Sequence, residues 1–120
     1  MAKPAVIIVG ADKGGVGKTT VSRTLLDYFV AHQIPTRAFD TEFPKGTLKR
    51  FHPDTTEVVD MSHIPDQMKV FDTLSATDAS VTVIDVRAGL LSPTLRSLRD
   101  IGFIEAAKKG QITLAVFHIL

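Results

Sequence analysis

Residues able to do chemistry concentrate in one stretch, Gly10-Ala11-Asp12-Lys13-Gly14-Gly15-Val16-Gly17-Lys18-Thr19-Thr20. Glycines at 14, 15 and 17 let a backbone curl until successive N–H groups converge on one anion. Lys18 adds a full positive charge for the outer phosphates of a nucleotide, and the Thr19 hydroxyl is the type of group that ligates magnesium there. A second lysine, Lys13, cannot easily share the pocket of Lys18, because like charges repel. Two carboxylates close apolar stretches further along: Asp40 in Thr36-Arg37-Ala38-Phe39-Asp40, and Asp85 in Val81-Thr82-Val83-Ile84-Asp85. Magnesium takes few direct protein ligands, and open α/β sheets place their sites at strand C-termini. Thr19, Asp40 and Asp85 are therefore the candidate metal ligands.

These groups need elements to position them. The apolar run at 5–9, bounded by Pro4 and Gly10, reads as a strand buried on both faces of a parallel sheet. A helix is predicted from about Gly17 to His32, with Val21, Leu25, Phe29 and Val30 toward the sheet. Strands are expected at 36–40, 81–85 and 111–120, and a short extended piece at Val58-Val59. The segment 41–57 reads as a loop, from Pro44, Gly46, Pro53 and its threonines. Pro65 and Asp66 open a helix running to about Thr77, with Met68, Phe71 and Leu74 as its buried stripe. Ser92-Pro93 starts another, with serine as N-cap and proline at the first helical position; Gly102 breaks or kinks it, and Lys108-Lys109-Gly110 ends it. Strands alternating with helices imply a parallel sheet with right-handed crossovers.

At 120 residues the chain allows one domain, spanning 1–120. Hydrophobic content of 44% with 22% charged residues is that of an ordinary globular protein. A net charge of +1 argues neither for nor against nucleic acid, and the cluster Lys45, Lys49, Arg50 and His52 is expected to be a solvated loop. The absence of cysteine excludes disulfides and thiolate-held clusters and fits a cytoplasmic location. No segment is apolar for long enough to span a membrane, and Met1-Ala2-Lys3-Pro4 does not open a signal peptide. The chain stops at Leu120 within an apolar strand, where a parallel sheet needs cover on both faces, so a chain cut after its fourth strand, the first half of a longer domain, is expected.

The loop departs from the pattern G-x-x-x-x-G-K-[ST], because Asp12 stands at its first glycine. From Lys13 to Thr20 it instead resembles, residue for residue, the K-G-G-x-G-K-T-T loop of the deviant Walker A ATPases, the ParA/MinD family. The resemblance implies a three-layer α/β P-loop NTPase fold with strand order 36–40, 81–85, 5–9, 112–119. It implies ATP and magnesium as ligands, with Lys13, Gly14, Gly15, Val16, Gly17, Lys18, Thr19 and Thr20 around the nucleotide. Asp85 resembles the Walker B aspartate. Asp40 is implied to lie near the magnesium and the attacking water, so Lys13, Lys18 and Asp40 are the implied catalytic groups. Lys13 would reach the partner's phosphates across an ATP-dependent homodimer.

The usual role in the family is cargo positioning, such as DNA segregation or division-site placement, with an adaptor protein that activates hydrolysis. Contact with a DNA or membrane surface would come from regions outside this chain. Around Asp40 the match loosens: Glu42 replaces an aspartate, Phe43 is extra and Lys45 stands for glutamine. After Asp85, Arg87 replaces a proline, while Gly89 keeps the small residue that lets an N–H approach the γ-phosphate. The iron protein of nitrogenase has a similar loop, but this chain lacks the cysteines its cluster needs. Two alternatives stay open: an ATP-dependent ligase or synthetase of the same fold, and a nucleotide-binding module without hydrolysis.

Overall fold

The computed structural model describes residues 4–11, 17–42, 46–75, 80–100, 102, 105 and 108–119. Among the described residues nine elements follow in order: β1 (Ala5–Ala11), α1 (Lys18–Ala31), β2 (Thr36–Asp40), α2 (Thr47–Phe51), β3 (Thr56–Val58), α3 (Ile64–Ser75), β4 (Val81–Asp85), α4 (Leu91–Asp100) and β5 (Thr113–Ile119). The strands form one sheet in the order β3-β2-β4-β1-β5, and every pairing is parallel. Four of these strands stand in the order expected; the fifth, β3, pairs along the outer edge of β2.

Period-two alternation sends each strand's side chains to two faces. Val6 and Ile8 of β1, Phe39 of β2 and Ile84 of β4 join Val70 of α3 and Leu98 of α4 in one core. Val9, Ala38, Val81 and Val83 join Leu26 of α1 and Leu48 of α2 in the other. Helices thus cover both faces. The chain steps toward β3 through α1 and α2, then returns toward β5 through α3 and α4. Crossovers of one hand require those two pairs to lie on opposite faces.

Several sequence expectations need correction. The segment 41–57 is not all loop, since it holds α2 and the start of β3, which ends within the extended piece expected at Val58-Val59. Its basic residues are partly structural. Lys49 Nζ donates to the carbonyls of Pro53 at 2.6 Å and Thr56 at 2.8 Å, and His52 Nε2 meets Asp27 Oδ1 at 2.8 Å. Val30 is exposed; the buried line of α1 is instead Lys18, Ser22 and Leu26, at i, i+4 and i+8. In α3 Val70 is buried and Phe71 half-buried while Met68, expected in the stripe, is exposed; the side chain of Leu74 lies outside the described residues. Apolar residues at 68, 70 and 71 allow two overlapping stripes, and periodicity alone does not choose between them. Helix α4 begins at Leu91, so Ser92 and Pro93 lie within its first turn. It ends at Asp100, beyond which Gly102 at φ 86° donates its N–H to the Arg99 carbonyl at 3.0 Å. Among the described residues, no helix is long and apolar enough to cross a membrane.

Candidate functional site

The C-terminal ends of β1, β2 and β4 meet at one edge of the sheet. Strands β1 and β4 are neighbours whose following connections leave in opposite directions, β1 toward β2 and β4 toward β5. That divergence opens the crevice where ligands bind in open α/β sheets. Register pairs Asp40 with Asp85 across β2 and β4, and Val9 with Asp85 across β1 and β4. Asp40 shares the parity of Ala38, and Asp85 that of Val81 and Val83, so both carboxylates point to the α1–α2 face.

Helix α1 brings the cation. Gly17 is its N-cap at φ 93°, a left-handed conformation that favours glycine, and no side chain among the described residues caps the helix. The first-turn N–H groups thus face the crevice without intrahelical partners. Lys18 follows directly and is buried. Its Nζ donates to Asp85 Oδ1 at 2.5 Å, with Glu42 Oε1 and Thr19 Oγ1 each 3.5 Å away. Asp85 is fully buried and its other oxygen, Oδ2, has no hydrogen-bond partner among the described residues. Burial pushes its pKa up to about 6, against the lowering pull of the Lys18 ammonium and with further upward pressure from Asp40 and Glu42.

Asp40 is also fully buried, but its oxygens are engaged. Oδ1 accepts from the Glu42 N–H at 3.0 Å; Oδ2 accepts from the N–H groups of Leu48 at 2.9 Å and Lys49 at 3.2 Å. The carboxylate therefore closes the start of α2, whose N-cap Gly46 has no side chain to do so. A Cβ at Gly46 would fall on the Asp40 carboxylate, so only glycine permits this approach.

Two residues were not selected from the sequence. Glu42, whose role the loose match left open, stands beside Lys18; its only signal was its place two residues after Asp40. Thr41 carried no signal. Its N–H and hydroxyl both donate to the Asp85 carbonyl, at 3.1 and 3.2 Å, and its oxygen accepts the Arg87 N–H at 2.8 Å. This clasp ties the end of β2 to the segment after β4. That segment is also tied to β1, through Val86 N–H to the Val9 carbonyl at 2.8 Å and Gly89 N–H to the Ala11 carbonyl at 2.9 Å.

Carboxylate oxygens of Asp40, Glu42 and Asp85 lie within 4.8 Å of one another. Hard oxygen donors and an orphaned buried oxygen suit a magnesium ion. Thr19 is half-buried at the cleft wall, and Gly17 and Thr20 line the same cleft. The cleft has a volume of about 770 Å³, bounded opposite by Glu42, Thr47 and Arg87. Lys13, Gly14, Gly15 and Val16, with Asp12, lie outside the described residues, as do Phe43 and Lys45. The structure thus brings together Lys18, Thr19, Asp40 and Asp85 of the expected site residues, and adds Glu42. The chain matches no family model, and searches of curated proteins and of solved structures found no match.

Proposed function

We propose that the chain is a P-loop nucleotide-binding domain that takes up ATP with magnesium and hydrolyses it, as a dimerisation switch resembling the ParA/MinD ATPases. The observation that carries this reading is the buried pair of Lys18 and Asp85: the loop lysine at an uncapped helix start, meeting the last residue of a parallel strand at 2.5 Å. A structural ion pair needs neither an orphaned second carboxylate oxygen nor a 770 Å³ cleft beside it.

In this reading the ligand-free protein stores the ammonium on Asp85. A triphosphate draws Lys18 outward, while the N–H groups at the start of α1 accept phosphate oxygens. Thr19, Asp85 and Glu42, with Asp40 behind them, would hold magnesium, which supplies positive charge to the phosphates and leaves Lys18 free of Asp85. Burial of Asp85 and Asp40 excludes water from one side of the reacting phosphate. The cargo-positioning role, the adaptor protein and a DNA or membrane surface rest on the family resemblance alone, whose specific motifs are residues 13–20 and Asp85.

A second reading, nucleotide binding without hydrolysis, draws support from Asp40. A carboxylate accepting three backbone N–H groups has less capacity to position an attacking water. Titration with a fluorescent ATP analogue, in magnesium, tests the shared part. Wild type should bind, and Lys18→Ala should lose binding while keeping its circular dichroism spectrum. Equal affinity in both would sink the reading. Phosphate release by wild type at micromolar protein then separates the switch from the non-hydrolysing module.

A further inference from the structure

Arg87 stands two residues after Asp85, and its guanidinium makes no hydrogen bond or ion pair with a described residue. Its backbone is fixed, because its N–H donates to Thr41 Oγ1 at 2.8 Å, and Thr41 is held on the Asp85 carbonyl. The side chain is exposed and lies on a ridge between two cavities. One is the cleft that also contains Lys18, Thr19 and Glu42. The other, about 420 Å³, lies on the α3–α4 side with Thr94 and Leu90 in its wall. The backbone is thus pinned beside the site, while the cation is free to swing into it.

Charge balance gives that cation a task. Around the cleft, Asp40, Glu42 and Asp85 stand against Lys18. A bound triphosphate adds more negative charge than one magnesium ion returns. Among the described residues of the cleft wall, Arg87 is the cation not already committed. A guanidinium fork matches two oxygens of one phosphate, which an ammonium does not.

We propose that Arg87 is a catalytic residue acting within its own chain, its guanidinium donating to two non-bridging oxygens of the terminal phosphate. The inference rests on the nucleotide reading above. In hydrolysis, the water oxygen bonds to the γ-phosphorus and the bond from that phosphorus to the β–γ bridging oxygen breaks. The electron pair leaves on ADP, and the water proton ends on the released phosphate. Arg87 stabilises charge on the equatorial oxygens during that exchange.

The test compares wild type, Arg87→Ala and Arg87→Lys in single-turnover hydrolysis and in affinity for ATP against ADP. Arg87→Ala should lower the rate by about a hundredfold. It should weaken ATP binding by about tenfold and leave ADP binding and thermal stability unchanged, because the guanidinium makes no hydrogen bond or ion pair with a described residue. Arg87→Lys should recover only part of the rate, and added guanidinium ion should raise the rate of Arg87→Ala but not of wild type. An Arg87→Ala variant with wild-type turnover, and with the wild-type ratio of ATP to ADP affinity, would overturn the assignment while the nucleotide reading stands. If wild type binds ATP without turnover, an unchanged affinity ratio overturns it equally. A wild type that binds neither nucleotide removes the reading and Arg87's role together.

Discussion

At the scale of single residues, the site is a problem of buried charge. Asp85 is fully buried and carries a pKa of about 6 against an ordinary 3.8. A carboxyl with a raised folded-state pKa holds its proton more tightly folded than unfolded. Its contribution to stability is therefore present below about pH 4 and is lost as pH rises through 6. The loss is about 3 kcal/mol in all, at roughly 1.4 kcal/mol per pKa unit. The ligand-free protein should become easier to unfold in urea between pH 4 and 6.5, and Asp85→Asn should remove most of that slope. A slope unchanged in Asp85→Asn would mean that other carboxyls carry it. Magnesium and nucleotide should flatten the wild-type curve, because they bind the ionised form. Asp85 and Lys18 were legible in the sequence, one as the polar end of an apolar strand and the other as the lysine before a helix. Thr41 was not, because its role is a cross-strand hydroxyl clasp that no local spacing encodes.

At the scale of elements, the contact between β2 and α2 has two functions in one carboxylate. Asp40 accepts from Glu42, Leu48 and Lys49, so it shapes the turn that delivers Glu42 to Lys18. Replacing it with alanine leaves buried N–H groups at the start of α2 without acceptors. We expect Asp40→Ala to cost about 2 kcal/mol or more, read from urea unfolding, and to slow ATP turnover by roughly a hundredfold. ATP affinity should be largely retained. Turnover equal to wild type despite the lost stability would make Asp40 a cap and nothing more. Helix α2 was hidden in the sequence because five residues, Thr47–Phe51, span too little for a 3.6-residue period to register. The buried line of α1 was hidden for another reason: Lys18 and Ser22 occupy core-facing positions, so the stripe is polar where the helix enters the site. A search for apolar faces favours Val21, Leu25 and Phe29, which are only partly buried.

At the scale of the whole molecule, five parallel strands and two helical layers place every described site residue at one edge. The alternation of strands and helices was legible because buried parallel strands read as apolar runs. The edge strand β3 was legible only at its end: an extended piece was expected at Val58-Val59, whereas the strand runs Thr56–Val58, since three residues beside β2 need little apolar sequence. The crevice supplies Lys18 and Arg87 from one chain, and the resemblance assigns Lys13 to the partner's nucleotide. These two assignments separate by concentration. A cation serving its own chain changes the rate equally at every protein concentration. A cation serving the partner matters only when two subunits meet. Wild-type specific activity should therefore rise with protein concentration, and that of Lys13→Ala should stay low and flat. Lys13→Ala should keep ATP affinity yet form no ATP-induced dimer in analytical ultracentrifugation. Arg87→Ala, by contrast, should still dimerise with ATP and still show a concentration-dependent rate, shifted down throughout. Wild-type activity independent of concentration, with Lys13→Ala losing ATP affinity as fully as Lys18→Ala, would put Lys13 on its own nucleotide and end the dimerisation reading.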